Sequence, residues 1–367
     1  MNVVVVGGGV IGLAIAWRAV ATGMTVTLVD PASGQCATGV AAGMLAPVTE
    51  VHYGEEDLLA LNLDSAARYP AFVAEVEEAS GMPTGYRDSG TLSVARDADD
   101  LAALDELVAY QRSLGLQVER LRSRELRRLE PALAPGVRGG ALVPGDHQVD
   151  PRRLAPALLE AGRRLGVALC RRAATGVGPG RVTLEGGEVL PADAVVVAAG
   201  CWSSKLGGLP ADVAAALRPV KGQILRLRAP EPSPLVHHNI RGLDAYLVAR
   251  GDGEVVVGAT VEERGYDTSV TAGAVHDLLR AALELVPDVA ELELVESSAG
   301  LRPGTPDNAP LLGATDVAGL VMAVGHYRNG ILLAPATAAA VVELLATGEA
   351  PPSIVPFSPR RFARVAP

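Results

Sequence analysis

The sequence of 367 residues predicts an α/β protein that contains two kinds of β-sheet. Residues 3–6, 195–199 and 319–325 form short apolar runs that lead into glycine. Such runs are typical of buried strands in a parallel sheet. Residues 218–298 instead contain alternating segments, which favour an antiparallel sheet with one exposed face. Between the first apolar run and the following helix lies a glycine-rich turn, which indicates what the parallel sheet binds.

The N-terminal segment MNVVVVGGGVIG predicts a dinucleotide-binding turn. Gly7, Gly9 and Gly12 have the spacing G-x-G-x-x-G and join the first strand to a helix predicted over residues 10–22. In this arrangement the first glycine permits the turn, the second lets the backbone approach a pyrophosphate, and the third allows close helix–strand packing. The helix N-terminus also offers unpaired N–H groups and a partial positive charge to the phosphates.

The acidic residue after the second strand narrows the choice of dinucleotide. Residues 25–30 form that strand, and Asp30 stands where a carboxylate can bind a ribose hydroxyl. An acid there disfavours NADP, whose extra phosphate favours arginine, but it does not separate NAD from FAD. The buried strands lie at both ends and in the middle of the chain, with the antiparallel pattern between them. Because NAD dehydrogenases usually complete this domain in one contiguous stretch, the pattern favours FAD.

We therefore predict a Rossmann-like FAD-binding domain, discontinuous in sequence, and a second α+β substrate domain built on an antiparallel sheet. The FAD-binding domain is assigned residues 1–85, 140–217 and 299–367, and the substrate domain residues 86–139 and 218–298.

Local signals place several helices within this plan. Residues 56–79 are predicted to be largely helical, with a break at Pro70. Asp97 and Asp150 are candidate caps of two further helices, and Pro151 suits the first helical position.

Composition limits the partners and the compartment. The formal net charge is −10 and no basic stripe is present, which argues against a nucleic-acid partner. Cys36, Cys170 and Cys201 form neither a metal-binding spacing nor a disulfide framework, which suits a reducing compartment. No run is long and apolar enough to span a bilayer, and the N-terminus lacks the basic region of a signal peptide. We predict a cytoplasmic protein with no metal ion and no membrane partner.

The longer motifs resemble a known family. The opening segment, AAGMLAP, VVVAAGCWS, VKGQ, AGLRPGTPDNAP and GHYRNGILLAPAT together are similar to the D-amino-acid oxidase superfamily, and most of all to its glycine oxidase branch, which is linked to thiamine biosynthesis. The resemblance covers most of the chain, and the later motifs are more specific than the glycine fingerprint. It implies non-covalent FAD, a small amino acid substrate with dioxygen, and a homo-oligomer, either tetramer or dimer.

The resemblance also implies site residues. Arg302 corresponds to the arginine that binds the substrate carboxylate, Arg328 to a second arginine at the substrate site, and Tyr246 to a tyrosine that orients the substrate. Met44, Asp244 and Val261 are expected at the substrate pocket; Asp244 and Val261 depart from the histidine and methionine of the family pattern, which leaves the preference for size and polarity open. The implied cofactor contacts are Gly7, Gly9, Val10, Ile11, Gly12, Asp30, Thr38, Ala42, Gly43, Met44, Gly200, His326, Tyr327, Arg328, Asn329, Gly330, Ile331 and Leu332.

The implied reaction moves a hydride from the α-carbon of glycine, sarcosine or a small D-amino acid to the flavin. Dioxygen then reoxidises the flavin to give hydrogen peroxide, and water hydrolyses the imine to glyoxylate or a 2-oxo acid and ammonia. The cofactor supplies the chemistry and the protein supplies orientation, so no strong acid–base residue is required if the amine binds neutral.

Other interpretations of the same residues remain open. Arg302 could instead form a structural ion pair with Asp307, Arg328 could form a salt bridge between the domains, and Tyr246 could be a core residue. The alternative functions are a broader D-amino-acid or N-methyl amino acid oxidase, a quinone-linked amino acid dehydrogenase, and a nucleotide-binding sensor without catalysis.

Overall fold

The computed structural model of the chain describes residues 1–362. The strands are β1 (Asn2–Val6), β2 (Thr25–Val29), β3 (Met44–Leu45), β4 (Thr91–Ala95), β5 (Glu119–Arg122), β6 (Gly139–Val143), β7 (His147–Gln148), β8 (Ala168–Cys170), β9 (Ala174–Gly178), β10 (Arg181–Leu184), β11 (Val189–Pro191), β12 (Ala194–Val197), β13 (Arg218–Arg228), β14 (Asn239–Arg241), β15 (Tyr246–Ala249), β16 (Glu254–Gly258), β17 (Glu293–Gly304), β18 (Leu311–Ala314) and β19 (Leu320–Val324). The α-helices are α1 (Val10–Ala21), α2 (Ala37–Val40), α3 (Glu56–Ser80), α4 (Ala98–Ser113), α5 (Ser123–Leu129), α6 (Pro151–Arg164), α7 (Ala211–Ala216), α8 (Ala272–Leu285) and α9 (Ala334–Thr347).

The first large sheet has six strands in the order β18-β19-β12-β1-β2-β8. Its strands are parallel except β18, which runs antiparallel to β19. The valines of β1 are buried on both faces, because α1, α6 and α9 pack on one side and a second apolar cluster fills the other. The three apolar runs of the sequence are thus neighbouring strands of one sheet, β1, β12 and β19, and the predicted α/β fold is confirmed.

The second large sheet has eight strands in the order β17-β13-β16-β15-β14-β4-β6-β5. Its pairs are antiparallel except β14 with β4. Helix α8 covers one face through Leu278, Ala282 and Leu285, which belong to a separate apolar cluster. The other face of β13, β15, β16 and β17 turns towards the carboxyl ends of the parallel strands, and this placement creates the cavity described below.

One helix differs from its expected form. The predicted break at Pro70 is wrong, because α3 continues without interruption from Glu56 to Ser80. Pro70 lies on the exposed side of α3, where water can satisfy the carbonyl that loses its N–H partner, while Tyr69, Phe72 and Val76 hold the opposite side in the core. The predicted caps are present: the carboxylate of Asp97 accepts from the amides of the first turn of α4, and that of Asp150 accepts from α6.

The assignment of residues to two domains remains a proposal. If the boundaries followed the sheets, two of them would change, because β6 and all of β17 belong to the eight-stranded sheet. Residues 140–143 and 299–304, which are predicted in the FAD-binding domain, would then belong to the substrate domain. Residues 363–367 of the last segment lie outside the described part of the chain.

Within residues 1–362, no single helix has both the length and the apolar character needed to cross a membrane. One pair, α9 with the segment Pro352–Phe362, passes the combined test of length and composition but is bent by 106°.

Candidate active site

A cavity of about 680 Å³ lies between the carboxyl ends of the parallel strands and one face of the eight-stranded sheet. It brings together most of the residues that the sequence singled out. Those that line it are Gly7, Gly9, Val10, Ile11, Asp30, Thr38, Ala42, Gly43, Met44, Gly200, Asp244, Tyr246, Arg302, His326, Tyr327, Arg328, Asn329, Gly330 and Ile331.

At one end of the cavity the glycine turn has the geometry of a phosphate cradle. Gly7 adopts φ +111°, and a Cβ on Gly12 would lie 1.8 Å from the carbonyl oxygen of Gly7. A Cβ on Gly9 would meet only the hydroxyl of Thr38, at 3.4 Å, because Gly9 faces the cavity. Gly12 itself does not line the cavity, since it packs beneath the turn and lets α1 approach β1.

Two polar side chains, Asp30 and Thr38, bind backbone amides at this end of the cavity and can each form further hydrogen bonds to a ligand. One oxygen of Asp30 accepts from the amide of Gly8 and the other from the amide of Ala32, both at 2.7 Å. A carboxylate has about four lone-pair sites, so Asp30 can accept further hydrogen bonds. The hydroxyl of Thr38 accepts from the amide of Val10 at 3.0 Å and can still donate its own hydrogen.

At the other end, strand register brings Arg302 and Tyr246 to one face of the sheet. Tyr246 is opposite Gly258, which is opposite Ile224 on β13, and Arg302 on β17 occupies the same side of the pleat. Glycines on the neighbouring strands leave room for these two side chains. A Cβ on Gly222 would lie 2.3 Å from a guanidinium nitrogen of Arg302. In the same way, a Cβ on Gly258 would lie 2.3 Å from the hydroxyl of Tyr246.

Within residues 1–362, the guanidinium of Arg302 donates hydrogen bonds only to backbone carbonyls. It donates to the carbonyl of Thr260 at 3.1 Å and more weakly to that of Lys221 at 3.4 Å. Asp307, the alternative ion-pair partner, instead binds Arg361 at 2.8 Å. In the part of the chain that the structure covers, no carboxylate lies within ion-pair distance of Arg302. Its positive charge is therefore available to a ligand in the cavity.

Arg328 has a protein partner that sequence reasoning missed. It donates to Glu50 at 3.3 Å, and Glu50 also accepts from Arg241. Glu50 and Arg241 line the cavity, and the two are 191 positions apart in the chain, so no local motif signals their contact. Burial disfavours the charged form of Glu50, but the two guanidinium groups outweigh burial and hold the pKa of this carboxyl below its usual value.

The three expected pocket residues have different surroundings. Met44 lines the cavity and packs against the apolar cluster that contains Ile224. Asp244 is at the rim, where its 65% exposed carboxylate accepts from Arg96 at 2.7 Å. The structure does not bring Val261 into the cavity, since Val261 is 51% exposed. Its neighbours Thr260 and Glu262 bind Gln223, which directs the intervening side chain to the opposite side. Leu332 is buried beside the cavity rather than in its lining.

With this geometry established, comparison with known proteins identifies the family. The family model described as DAO, FAD dependent oxidoreductase, matches residues 2–344. The chain belongs to the DAO family. The predicted superfamily and the cofactor FAD are thereby confirmed, and the chain is an FAD-dependent oxidoreductase, as predicted.

Relatives within the DAO family cover nearly the whole chain. Glycine oxidase of Geobacillus kaustophilus is 34% identical over 365 residues, which cover 97% of this chain and 96% of the relative. The crystal structure of glycine oxidase from Geobacillus kaustophilus superposes on this chain with a TM-score of 0.89, over 97% of each chain and at 33% sequence identity. The bifunctional protein ThiO/ThiG of Synechocystis sp. is 36% identical over 98% of this chain but only 54% of its own length, so the chain spans about half of this relative. Hydrogen cyanide synthase subunit HcnC of Pseudomonas aeruginosa is 36% identical over 82% of this chain and 74% of its own length.

The buried His326 makes this DAO-family chain sensitive to acid. His326 is 2% exposed, binds the hydroxyl of Thr337 at 3.0 Å, and burial lowers its pKa to about 3. In the folded state His326 therefore stays neutral down to about pH 3, whereas in the unfolded state it takes up a proton below about pH 6.5. Because only the unfolded state gains this proton, the free energy of unfolding falls as the pH decreases from 6.5 towards 3. Between pH 7 and pH 5 the parent should lose about 2 kcal/mol more than a His326→Gln variant, measured by urea unfolding at fixed FAD concentration. Equal losses in the two proteins would show that His326 is protonated in the folded state.

Proposed function

We propose that this chain oxidises glycine, and secondarily sarcosine and small D-amino acids, with FAD as the immediate and dioxygen as the final electron acceptor. The products are glyoxylate or a 2-oxo acid, ammonia and hydrogen peroxide. The observation that carries this proposal is the guanidinium of Arg302, which faces the cavity from a glycine-cleared sheet surface without a carboxylate partner among residues 1–362.

The residues present fit FAD. Gly9 turns open backbone towards the cavity, and the first turn of α1 contains no acidic residue that would repel a diphosphate. Residues 7–11 would hold the diphosphate and Asp30 a ribose hydroxyl. Residues 42–44 and 326–331 would flank the ring system, which accepts the hydride when FAD is bound.

Arg302 would fix the substrate by its carboxylate. A guanidinium can donate two parallel hydrogen bonds to a carboxylate, which restricts orientation as well as position. Such restriction determines which hydrogen of the α-carbon faces the flavin, and orientation of this kind supplies a large part of many rate enhancements.

Tyr246 would add a hydrogen bond to the same carboxylate. Burial raises the pKa of Tyr246, and this effect outweighs the opposing positive charge of Arg302. The phenol is therefore protonated at neutral pH and can donate. Its ring lies over Gly258, where any side chain would displace the hydroxyl.

The proposal is tested by a peroxide assay with glycine, sarcosine, D-alanine and L-alanine, together with a visible spectrum of the purified protein. Support requires a flavin spectrum that bleaches with glycine in the absence of oxygen, and peroxide formation at the rate of glycine loss. Bleaching without peroxide in air would instead identify the second candidate, a quinone-linked amino acid dehydrogenase, which the similarity to a hydrogen cyanide synthase subunit keeps open.

The cellular role follows from similarity alone. We propose that the product imine supplies the thiazole of thiamine in the cytoplasm, from a homo-oligomer, in keeping with the similarity to ThiO/ThiG and glycine oxidase. Restored thiamine-independent growth of a strain that lacks its own glycine oxidase would support this role, and failure of an active enzyme to restore growth would contradict it.

A substitution at Gly222 separates substrate binding from cofactor binding. In Gly222→Ala the new Cβ would overlap the guanidinium of Arg302, and the flexible end of Arg302 would move away rather than the backbone. We expect kcat/KM for glycine to fall by about 10-fold or more, mainly through KM, with FAD content unchanged. Gly273→Ala, at an exposed helical glycine with open space around it, is the matched control. Unchanged KM in Gly222→Ala would contradict the position of Arg302.

A further inference from the structure

Three charged side chains form a compact group in the cavity beside Tyr246. One oxygen of Glu50 accepts from Arg241 and the other accepts from Arg328 at 3.3 Å. The side chain of Glu50 is only 13% exposed, and all three residues line the cavity. We call Glu50, Arg241 and Arg328 the Glu50 triad.

Strand register places the Glu50 triad on the same surface as Arg302. Arg241 is directly opposite Tyr246 in the antiparallel pair β14–β15, so their side chains emerge on one face. Strands β15, β16 and β13 lie between Arg241 on β14 and Arg302 on β17, which puts the two backbones four strand spacings, about 19 Å, apart across the sheet. Arg241 and Arg302 both line the cavity. A small substrate bound over Tyr246 would therefore have Arg302 at one end and the Glu50 triad at the other.

The arginines of this surface differ in whether they already bind a carboxylate of the protein. Arg241 and Arg328 already share a buried carboxylate, whereas Arg302 contacts only carbonyl oxygens within residues 1–362. A substrate with one carboxylate can bind Arg302 without disturbing another ion pair. A second acidic group would approach arginines that are occupied and would also face the negative charge of Glu50.

We propose that Glu50 is a specificity-determining positioning residue, whose carboxylate occupies the place that a second acidic group of the substrate would need. The site therefore accepts amino acids with one carboxylate and rejects those with two. This inference rests on the proposed function for the role of Arg302, and it adds the basis of selection. Repulsion is as effective as attraction in setting specificity, and it is strong where water is excluded.

The test is Glu50→Gln, which removes the charge and keeps the size of the side chain. The assay compares kcat/KM within two matched pairs: iminodiacetate with sarcosine, where the extra acid is on nitrogen, and D-aspartate with D-alanine, where it is on the side chain. We expect at least one dicarboxylate-to-monocarboxylate ratio to rise by 10-fold or more in the variant. Unchanged ratios in both pairs, or a parent enzyme that already prefers a dicarboxylate, would overturn the proposal.

The double variant E50Q/R241Q separates ion pairing from net charge. It has the same net charge as the parent but leaves Arg328 without its carboxylate. If the carboxylate of Glu50 at this place excludes a second acidic group, the ratios of the double variant shift in the same direction as those of Glu50→Gln. Parent ratios in the double variant would show that the total charge of the cavity decides, wherever the carboxylate lies, and would overturn the proposal. The double variant also removes both members of the tighter ion pair, so it provides the test if Glu50→Gln leaves too much uncompensated charge to fold.

A binding measurement keeps this inference separate from the proposed function. Calorimetric titration of the holoenzyme with acetate and with malonate requires no turnover. Glu50→Gln should favour malonate over acetate by 10-fold or more relative to the parent, and an unchanged ratio would count against the role of Glu50. If no amino acid is oxidised, the proposed function fails, while the acetate–malonate ratio still decides whether Glu50 excludes a second carboxylate.

Discussion

Arg302→Ala is expected to lower kcat/KM for glycine by about 100-fold while the protein stays yellow. The loss corresponds to about 3 kcal/mol, because two charge-assisted hydrogen bonds to the substrate carboxylate disappear. The cofactor end should be unaffected, since the hydrogen bonds of the Arg302 side chain within residues 1–362 go to the carbonyls of Lys221 and Thr260 and not to the glycine turn. Steady-state peroxide assays and the ratio of flavin to protein absorbance measure the two effects.

Two further variants define what Arg302 contributes. Arg302→Lys keeps the charge but loses the planar fork, so it should recover only part of the activity. Arg218→Ala removes an arginine from the start of β13, where it lies outside the cavity and is paired with the exposed Glu263, and it should retain the parent rate. Glycine turnover by Arg302→Ala at the rate of Arg218→Ala would show that the carboxylate binds elsewhere.

The nucleotide end of the site could be predicted from sequence because its determinants are local. Strand, glycine turn, helix and acid all fall within residues 2–30, and each requirement acts on a neighbour a few positions away. The presence of the parallel sheet could also be predicted, since the unbroken apolar runs that became β1, β12 and β19 are typical of strands buried on both faces.

The substrate end depends on contacts that no local pattern encodes. Arg302 fits its place because Gly222, 80 positions earlier, lacks a side chain, and Glu50 contacts Arg241, which is 191 positions later in the chain. Val261 was expected in the pocket because of the resemblance to the family alone. In the structure its neighbours form hydrogen bonds to Gln223, and Val261 is half exposed outside the cavity. The break expected at Pro70 failed because core packing of α3 outweighed one missing N–H.

Gly12→Ala is expected to impair FAD binding. The added Cβ would lie 1.8 Å from the carbonyl oxygen of Gly7, and the clash is with backbone, so α1 must move away from the end of β1. That shift displaces the helix N-terminus on which the diphosphate would lie. Overpacking of this kind costs about 1–3 kcal/mol, and a loss of that size in binding free energy raises the dissociation constant for FAD by about 5- to 150-fold. Fluorescence titration of the apoprotein with FAD measures it directly.

The same substitution elsewhere in the chain shows whether the effect is specific. Gly273→Ala adds one methyl group to an exposed position of α8, where the new Cβ would meet no atom within 4 Å apart from the backbone and chain neighbours of its own helix, so it should bind FAD like the parent and gain slightly in stability. Circular dichroism of Gly12→Ala should retain most of the helix and strand content, because the separate apolar cluster under α8 contains no residue of this turn. A folded Gly12→Ala protein with the parent affinity for FAD would mean that the cofactor does not depend on the close approach of α1 to β1. In that case the glycine turn would serve packing alone, and the diphosphate would have to lie elsewhere in the cavity.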